Sequence, residues 1–167
     1  MTDLNQIFAD LMERTRNPRR DDPLRLASRA SAPATTDELE LAERGMPVPP
    51  EIRSLWSTSA ESWLFEDLDY GHWGLHLFSP GASVVRTSTE GTARPREFRL
   101  DDVVVGEFLG DGDLLLYAPS EPRERRCLIA LPLDARHDWP AAGSTLAEVF
   151  ERLLEAGGDK YWEASTV

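Results

Sequence analysis

Apolar residues recur at helical spacing in four segments of the chain. Amphipathic helices are therefore predicted over residues 3–16, 36–45, 51–56 and 145–156. The second and the fourth start with a threonine followed three residues later by a glutamate, which is the pattern of a capping box. Their apolar faces consist of Leu4, Ile7, Phe8, Leu11 and Met12; of Leu39, Leu41 and Ala42; of Ile52, Leu55 and Trp56; and of Leu146, Val149, Phe150, Leu153 and Leu154.

Between residues 62 and 131 the pattern changes to short apolar runs and to alternation, both of which are typical of strands. Besides a hairpin over residues 103–117, strands are predicted at residues 63–65, 72–78, 83–87, 96–100 and 127–131. In the second of these, alternation places Trp73, Leu75 and Leu77 on one face and His72 and His76 on the other.

The hairpin over residues 103–117 is predicted to organise the sheet. Two continuous apolar runs flank the sequence Gly110-Asp111-Gly112-Asp113, and an Asp-Gly pair between apolar strands is a strong hairpin signal. Gly110 and Gly112 are assigned to the backbone geometry of the turn, because glycine accepts a positive φ. Since the runs are continuous rather than alternating, both faces of these strands are predicted to be covered.

The order of elements predicts an α+β domain with a mainly antiparallel sheet of about six strands, with two short N-terminal helices and a C-terminal helix packed on it. Residues 1–34 are predicted to form an amphipathic leader helix and a linker, residues 35–160 the domain, and residues 161–167 a C-terminal tail. The linker prediction depends on residues 17–34, which contain three prolines and four arginines. The leader helix could dock on the domain or stand partly free.

Composition predicts a globular protein of the cytoplasm. With 167 residues, 41% hydrophobic content and five tryptophans, the chain can bury one core of ordinary size. No apolar run reaches the roughly 18 residues of a membrane span, and no signal peptide is recognisable. Cys127 is the single cysteine and lies in a predicted strand, so we expect a buried thiol, no internal disulfide and a reducing compartment.

The net charge of −12 is unevenly distributed. Residues 1–36 carry six arginines against five acids, whereas residues 37–167 carry 25 acids against 12 basic residues. This argues against nucleic acid and anionic membranes as partners, since both attract basic proteins. It favours a basic protein partner. The alternative is that the acidic surface serves solubility alone.

Motifs for catalysis and metal binding are not found. On a strand, His72 and His76 would lie about 13 Å apart, too far to share a zinc ion through bonds of about 2.1 Å. Asp111-Gly112-Asp113 is followed by leucines where a calcium loop needs oxygen ligands. The sequence contains no phosphate-binding loop, nucleophile elbow or paired C-x-x-C motif. We predict no catalytic residue, metal or cofactor, although a carboxylate-based site assembled by tertiary proximity stays an alternative.

A segment of alternating acids and aromatics, residues 65–73, is a candidate protein-binding patch. Aromatic residues carry much of the contact energy at interface centres, and acids select a basic partner. The alternative is a solvated acidic loop with its aromatic side chains turned into the core. The acids of the hairpin turn are weaker candidates. The candidate partner-binding residues are Glu66, Asp67, Asp69, Tyr70, Trp73, Asp111 and Asp113.

Over roughly residues 35–160 the chain resembles the SUKH superfamily, the Smi–Knr family of bacterial immunity proteins and fungal cell-wall regulators. The matching features are the capped helix over residues 36–44, the proline-containing turn at 48–52, the hairpin at 103–117 and the closing segment at 144–154.

The resemblance implies an α+β domain without enzymatic activity. Many bacterial members of the family bind a cognate toxin, often a nuclease, that is delivered between cells. We therefore expect a cytoplasmic immunity protein that binds and neutralises a basic toxin domain, with no nucleic acid or membrane partner. The alternatives are a regulatory or scaffold module of the same fold that recruits other proteins, and an unrecognised enzyme.

Overall fold

The computed structural model describes residues 3–166. Within them are five α-helices and one seven-stranded sheet. The helices are α1 Leu4–Thr15, α2 Thr36–Gly45, α3 Pro50–Thr58, α4 Pro80–Ala93 and α5 Leu146–Glu155. The strands are β1 Leu26–Ala30, β2 Ser62–Asp67, β3 Leu75–Leu77, β4 Val103–Phe108, β5 Leu114–Tyr117, β6 Cys127–Ala130 and β7 Ala141–Gly143. The predicted α+β class with a mainly antiparallel sheet is confirmed.

Every strand pairs with the next one along the chain, so the sheet is an antiparallel meander in the order β1 to β7. The predicted hairpin is its centre, since β4 is the fourth of the seven strands. In the turn, the Phe108 amide donates to the Asp113 carbonyl over 2.8 Å. Gly110 and Gly112 have φ values of 103° and 78°, which confirms the role predicted for both glycines.

The main core lies between one face of the sheet and the helices α1, α2, α3 and α5. Leu115 and Ile129 of the central strands lie in this core, whereas their neighbours along each strand lie in a second core. The rings of Phe8 in α1 and Phe150 in α5 are 6.0 Å apart, so the leader helix is docked on the domain. The capping box of α2 is present, because Thr35 and Glu38 exchange side chain to backbone hydrogen bonds.

The second core covers the opposite face of the central strands. Leu116 and Leu128 of the sheet pack there with Phe98 and Trp139, which come from the segments that follow α4 and β6. Helix α4 lies against β4, where the Ser83 hydroxyl donates to the Val104 carbonyl over 2.6 Å. The prediction that both faces of the hairpin are covered is therefore confirmed.

Two predicted strands are wrong. Residues 83–87 belong to α4, which begins with Ser79 as its N-cap and Pro80 in its first turn. Its valines and threonines suggested a strand, but the Ser-Pro start signal outweighs them. Residues 96–100 form turns rather than a strand, and the Arg99 amide donates to Asp102 over 2.8 Å. Of the strand predicted at residues 72–78, only Leu75–Leu77 pairs, and Gly74 has a φ of 124° just before it.

The predicted linker over residues 17–34 is wrong in part, because it contains the edge strand β1. Leu26 pairs with Asp67 and Ala30 with Ser62. The short strand β7 was not predicted either. Five of the predicted strands are present, and together with these two they make a described sheet of seven strands, where about six were predicted.

Candidate protein-binding surface

The two predicted clusters lie side by side at one end of the sheet. The β2–β3 loop covers residues 68–74 and the β4–β5 turn covers residues 109–113. The Leu109 amide donates to the Gly74 carbonyl over 2.8 Å. Gly110 lies so close to the His72 carbonyl oxygen that a Cβ atom there would collide with it. We call residues 66–73 together with 109–113 the acidic rim.

Asp67 shapes the β2–β3 loop from inside. It is 5% exposed, and its Oδ1 accepts hydrogen bonds from the amides of Asp69 (3.0 Å) and Tyr70 (3.2 Å). These bonds fix the start of the loop in the manner of an Asx turn. Asp67 therefore holds the loop and presents little surface to a partner.

Glu66 and Asp69 form ion pairs with arginines of the N-terminal segment. The Arg25 guanidinium donates to both oxygens of Asp69, with Nη2 2.6 Å from Oδ1. This hydrogen bond lowers the pKa of Asp69. Arg29 of β1 pairs with Glu66 over 3.1 Å. Both pairs are solvent-accessible, so each carboxylate keeps acceptor capacity toward solvent.

Asp111 and Asp113 bind Lys160, the single lysine of the chain. The Lys160 ammonium lies 3.0 Å from Asp113 and also contacts Asp111, and its side chain is 7% exposed. Burial lowers the pKa of Lys160, but the hydrogen bonds and charges of the two aspartates outweigh it, so the pKa is raised. The turn thereby anchors the segment that follows α5.

The two predicted aromatic residues differ in exposure. Tyr70 is 73% exposed at the tip of the loop. Trp73 is half-buried, and its Nε1 donates to the Gly158 carbonyl over 3.2 Å. The sequence left open whether the aromatic side chains of this loop turn into the core. Trp73 does so in part, and Tyr70 does not. Tyr70 and Leu68 are the large apolar residues of the acidic rim that are exposed to solvent.

A stacked row of side chains beside the acidic rim was not predicted. It crosses four strands, because Arg29, Trp63, His76 and Glu107 are direct neighbours in the register. The Arg29 guanidinium carbon is 3.7 Å from the Trp63 ring centroid, and the Trp63 and His76 rings stack at 4.7 Å. His76 also pairs with Glu61 over 2.6 Å. Alternation could have placed each residue on this face, but their contact depends on the strand register.

The enclosed space beside the acidic rim is small. The pocket lined by Trp73, Phe65 and Lys160 has a volume of about 10 Å³, room for a single water molecule. No three histidine, cysteine, aspartate or glutamate side chains in residues 3–166 converge closely enough to hold a metal ion. Within the same range, every helix is too short or too polar to cross a membrane.

Comparison of the sequence with models of protein families gives no match, and comparison with curated proteins gives none either. The resemblance to the SUKH superfamily therefore stays a prediction from the sequence.

Proposed function

We propose that this protein is a non-enzymatic domain that binds a basic protein, and that it acts as an immunity protein that neutralises a cognate toxin domain. The observation that carries the proposal is the acidic rim, which combines the exposed Tyr70 with the solvent-accessible carboxylates of Glu66, Asp69 and Asp111. The resemblance to the SUKH superfamily implies that this partner is a toxin. The cytoplasm as location belongs to the same proposal.

Long-range attraction comes from the whole chain rather than from the acidic rim alone. A net charge of −12 accelerates the approach of a basic partner, and salt weakens this effect because it screens the charges. The acidic rim holds five carboxylates, four of which pair with Arg25, Arg29 and Lys160, so the rim keeps a small negative excess.

Short-range contact would depend on Tyr70. A tyrosine offers a large apolar ring and a hydroxyl at low cost in conformational entropy, and such residues dominate the energies of interfaces. The loop below it is already fixed by Asp67 and by the Arg25–Asp69 pair. Since little ordering remains for binding, most of the contact energy would appear as affinity.

Co-expression with the product of the neighbouring gene tests the proposal. We expect a one-to-one complex in size-exclusion chromatography at micromolar concentration and low salt. The complex should suppress the toxic activity of the partner, and its association rate should fall as salt is added. Absence of a complex under these conditions would contradict the proposal, and a complex that leaves the partner toxic would contradict the immunity role.

Single substitutions then test the acidic rim itself. Replacing Tyr70 by alanine should raise the Kd for the partner about tenfold or more, with an unchanged melting temperature, because the ring contacts solvent in the free protein. Leu41→Ala on α2 is the matched control, since Leu41 is 66% exposed and lies outside the rim. Equal Kd values for the two variants would remove Tyr70 from the binding surface.

A further inference from the structure

A cleft rich in arginine lies away from the acidic rim. It has a volume of about 460 Å³ and forms where the segments 94–102, 118–126 and 131–140 meet. Strand β4 begins just after the first of these segments and ends at the rim, so the cleft and the rim lie at opposite ends of the central hairpin. We call this site the arginine cleft. Its lining residues are Arg96, Glu97, Arg99, Glu121, Arg125, Arg136 and His137.

The floor of the arginine cleft is a fixed guanidinium group. The Arg136 side chain is 10% exposed and donates to both oxygens of Asp102, over 2.6 and 3.1 Å, and Asp102 is fully buried. Arg136 also donates to the Glu97 carbonyl over 2.9 Å and to Glu121 over 2.8 Å. Such a network holds the three segments in one arrangement, so the cleft is formed before any ligand arrives.

Glu121 is shared by three guanidinium groups. Its carboxylate lies 2.8 Å from Arg136, 3.2 Å from Arg99 and 3.9 Å from Arg125. Burial raises the pKa of Glu121, but the hydrogen bond and charge of Arg136 and the charges of the other two arginines outweigh it, so the pKa is lowered and the group stays ionised. Because Asp102 already balances Arg136, the single charge of Glu121 is left to balance both Arg99 and Arg125.

Positive charge is therefore left over at the mouth of the arginine cleft. Arg99 is 48% exposed beyond its contact with Glu121. Arg96 is exposed and forms no ion pair with any residue in the part of the chain that the structure describes. Each guanidinium has five N–H donors, and most of those on Arg96 and Arg99 face solvent. The lining holds four arginines and two glutamates, and the buried Asp102 under Arg136 brings the carboxylates to three, so one positive charge is left over.

We propose that the arginine cleft binds the phosphate group of a small phosphorylated ligand, with Arg96, Arg99 and Arg125 as donors. The planar fork of arginine matches the oxygens of phosphate, and several forks around one cleft can share them. The net charge of the chain does not prevent this, because charges more than about 8 Å away are largely screened at physiological ionic strength. The site is separate from the acidic rim and does not depend on the proposed function.

Isothermal titration with pyrophosphate, at constant ionic strength set by sodium chloride, tests the proposal. We expect saturable binding to the whole protein with a one-to-one ratio. Arg96→Gln and Arg99→Gln should each weaken it about tenfold while the melting temperature stays within about 2 °C, because both side chains are exposed. Arg53→Gln is the matched control, since Arg53 is an exposed arginine on α3 paired with Glu43, and it should bind like the unmodified protein.

Three results would overturn the proposal. One is absence of binding at millimolar pyrophosphate. Another is equal binding by all three variants, which would mean that Arg96 and Arg99 do not contact the phosphate. The third is binding of citrate as tight as that of pyrophosphate, which would show a site for carboxylates rather than for phosphate.

Discussion

Lys160 is the residue through which the acidic rim stabilises the chain. Replacing Asp113 by asparagine leaves the buried Lys160 ammonium with Asp111 as its one remaining carboxylate partner. We expect the free energy of unfolding to fall by about 1–3 kcal/mol. Urea denaturation measures this loss. Asp69→Asn is the matched control, because its pair with Arg25 is exposed, and exposed pairs contribute little to stability. Equal losses in both variants would mean that burial of Lys160 adds nothing.

Residue types at the candidate site could be predicted from the sequence, but their partners could not. The acids and aromatics of residues 65–73 and 109–113 are local features of the sequence, and the hairpin brings them to one end of the sheet. Arg25 and Lys160 lie 44 and 47 residues away from Asp69 and Asp113, and only the tertiary fold brings them together. The sequence therefore suggested free acids where the structure shows ion pairs.

Helix α1 is an integral element of the domain. Its buried Phe8 contacts Phe150 of α5, so Phe8→Ala should lower the free energy of unfolding by about 3–5 kcal/mol through lost burial and an unfilled cavity. Chemical denaturation of the full chain checks this value. The exposed Leu41→Ala variant should change stability by less than about 0.5 kcal/mol. A small loss for Phe8→Ala would show that α1 contributes little to folding.

Elements with local boundary signals are those that the sequence predicted well. Helices α2 and α5 start at threonine caps, and the central hairpin turns at glycines, so a few neighbouring residues specify each of them. Residues 83–87 of α4 were predicted as a strand because three of the five are β-branched. Strands β1 and β7 are short edges of the sheet, and they form because a neighbouring strand pairs with them, which no local pattern indicates.

At the scale of the whole molecule, acidification should weaken the fold through Glu121. Its pKa in the folded chain lies below the ordinary value of 4.5, so its contribution to stability is fully present above pH 4.5 and is lost as the pH falls through the folded pKa. We expect the free energy of unfolding, measured in urea from pH 7 to pH 3, to fall less steeply in Glu121→Gln. Parallel curves for the two proteins would contradict this prediction.

The pKa of Glu51 is shifted in the direction opposite to that of Glu121. It packs at the start of α5, where its carboxylate accepts a hydrogen bond from the Ala147 amide over 3.1 Å. Burial raises its pKa above 4.5, so the folded chain holds this proton more tightly, and stability is lost as the pH rises from 4.5 through the folded pKa. In Glu51→Gln that loss should disappear. A loss of the same size in the variant would show that another group causes it.

The labelling rate of the Cys127 thiol reports on opening of the central sheet. The side chain is fully buried in β6, and burial raises the pKa of its thiol well above the ordinary value. In the folded chain a reagent therefore cannot reach the sulfur, and the thiol stays protonated. A disulfide reagent should therefore modify the native protein about a thousandfold more slowly than the unfolded chain. Because the chain has one cysteine, the labelling rate follows opening of the strands around β6 without interference from a second thiol. Rapid labelling in native buffer would contradict this expectation and show that the strands around β6 open frequently.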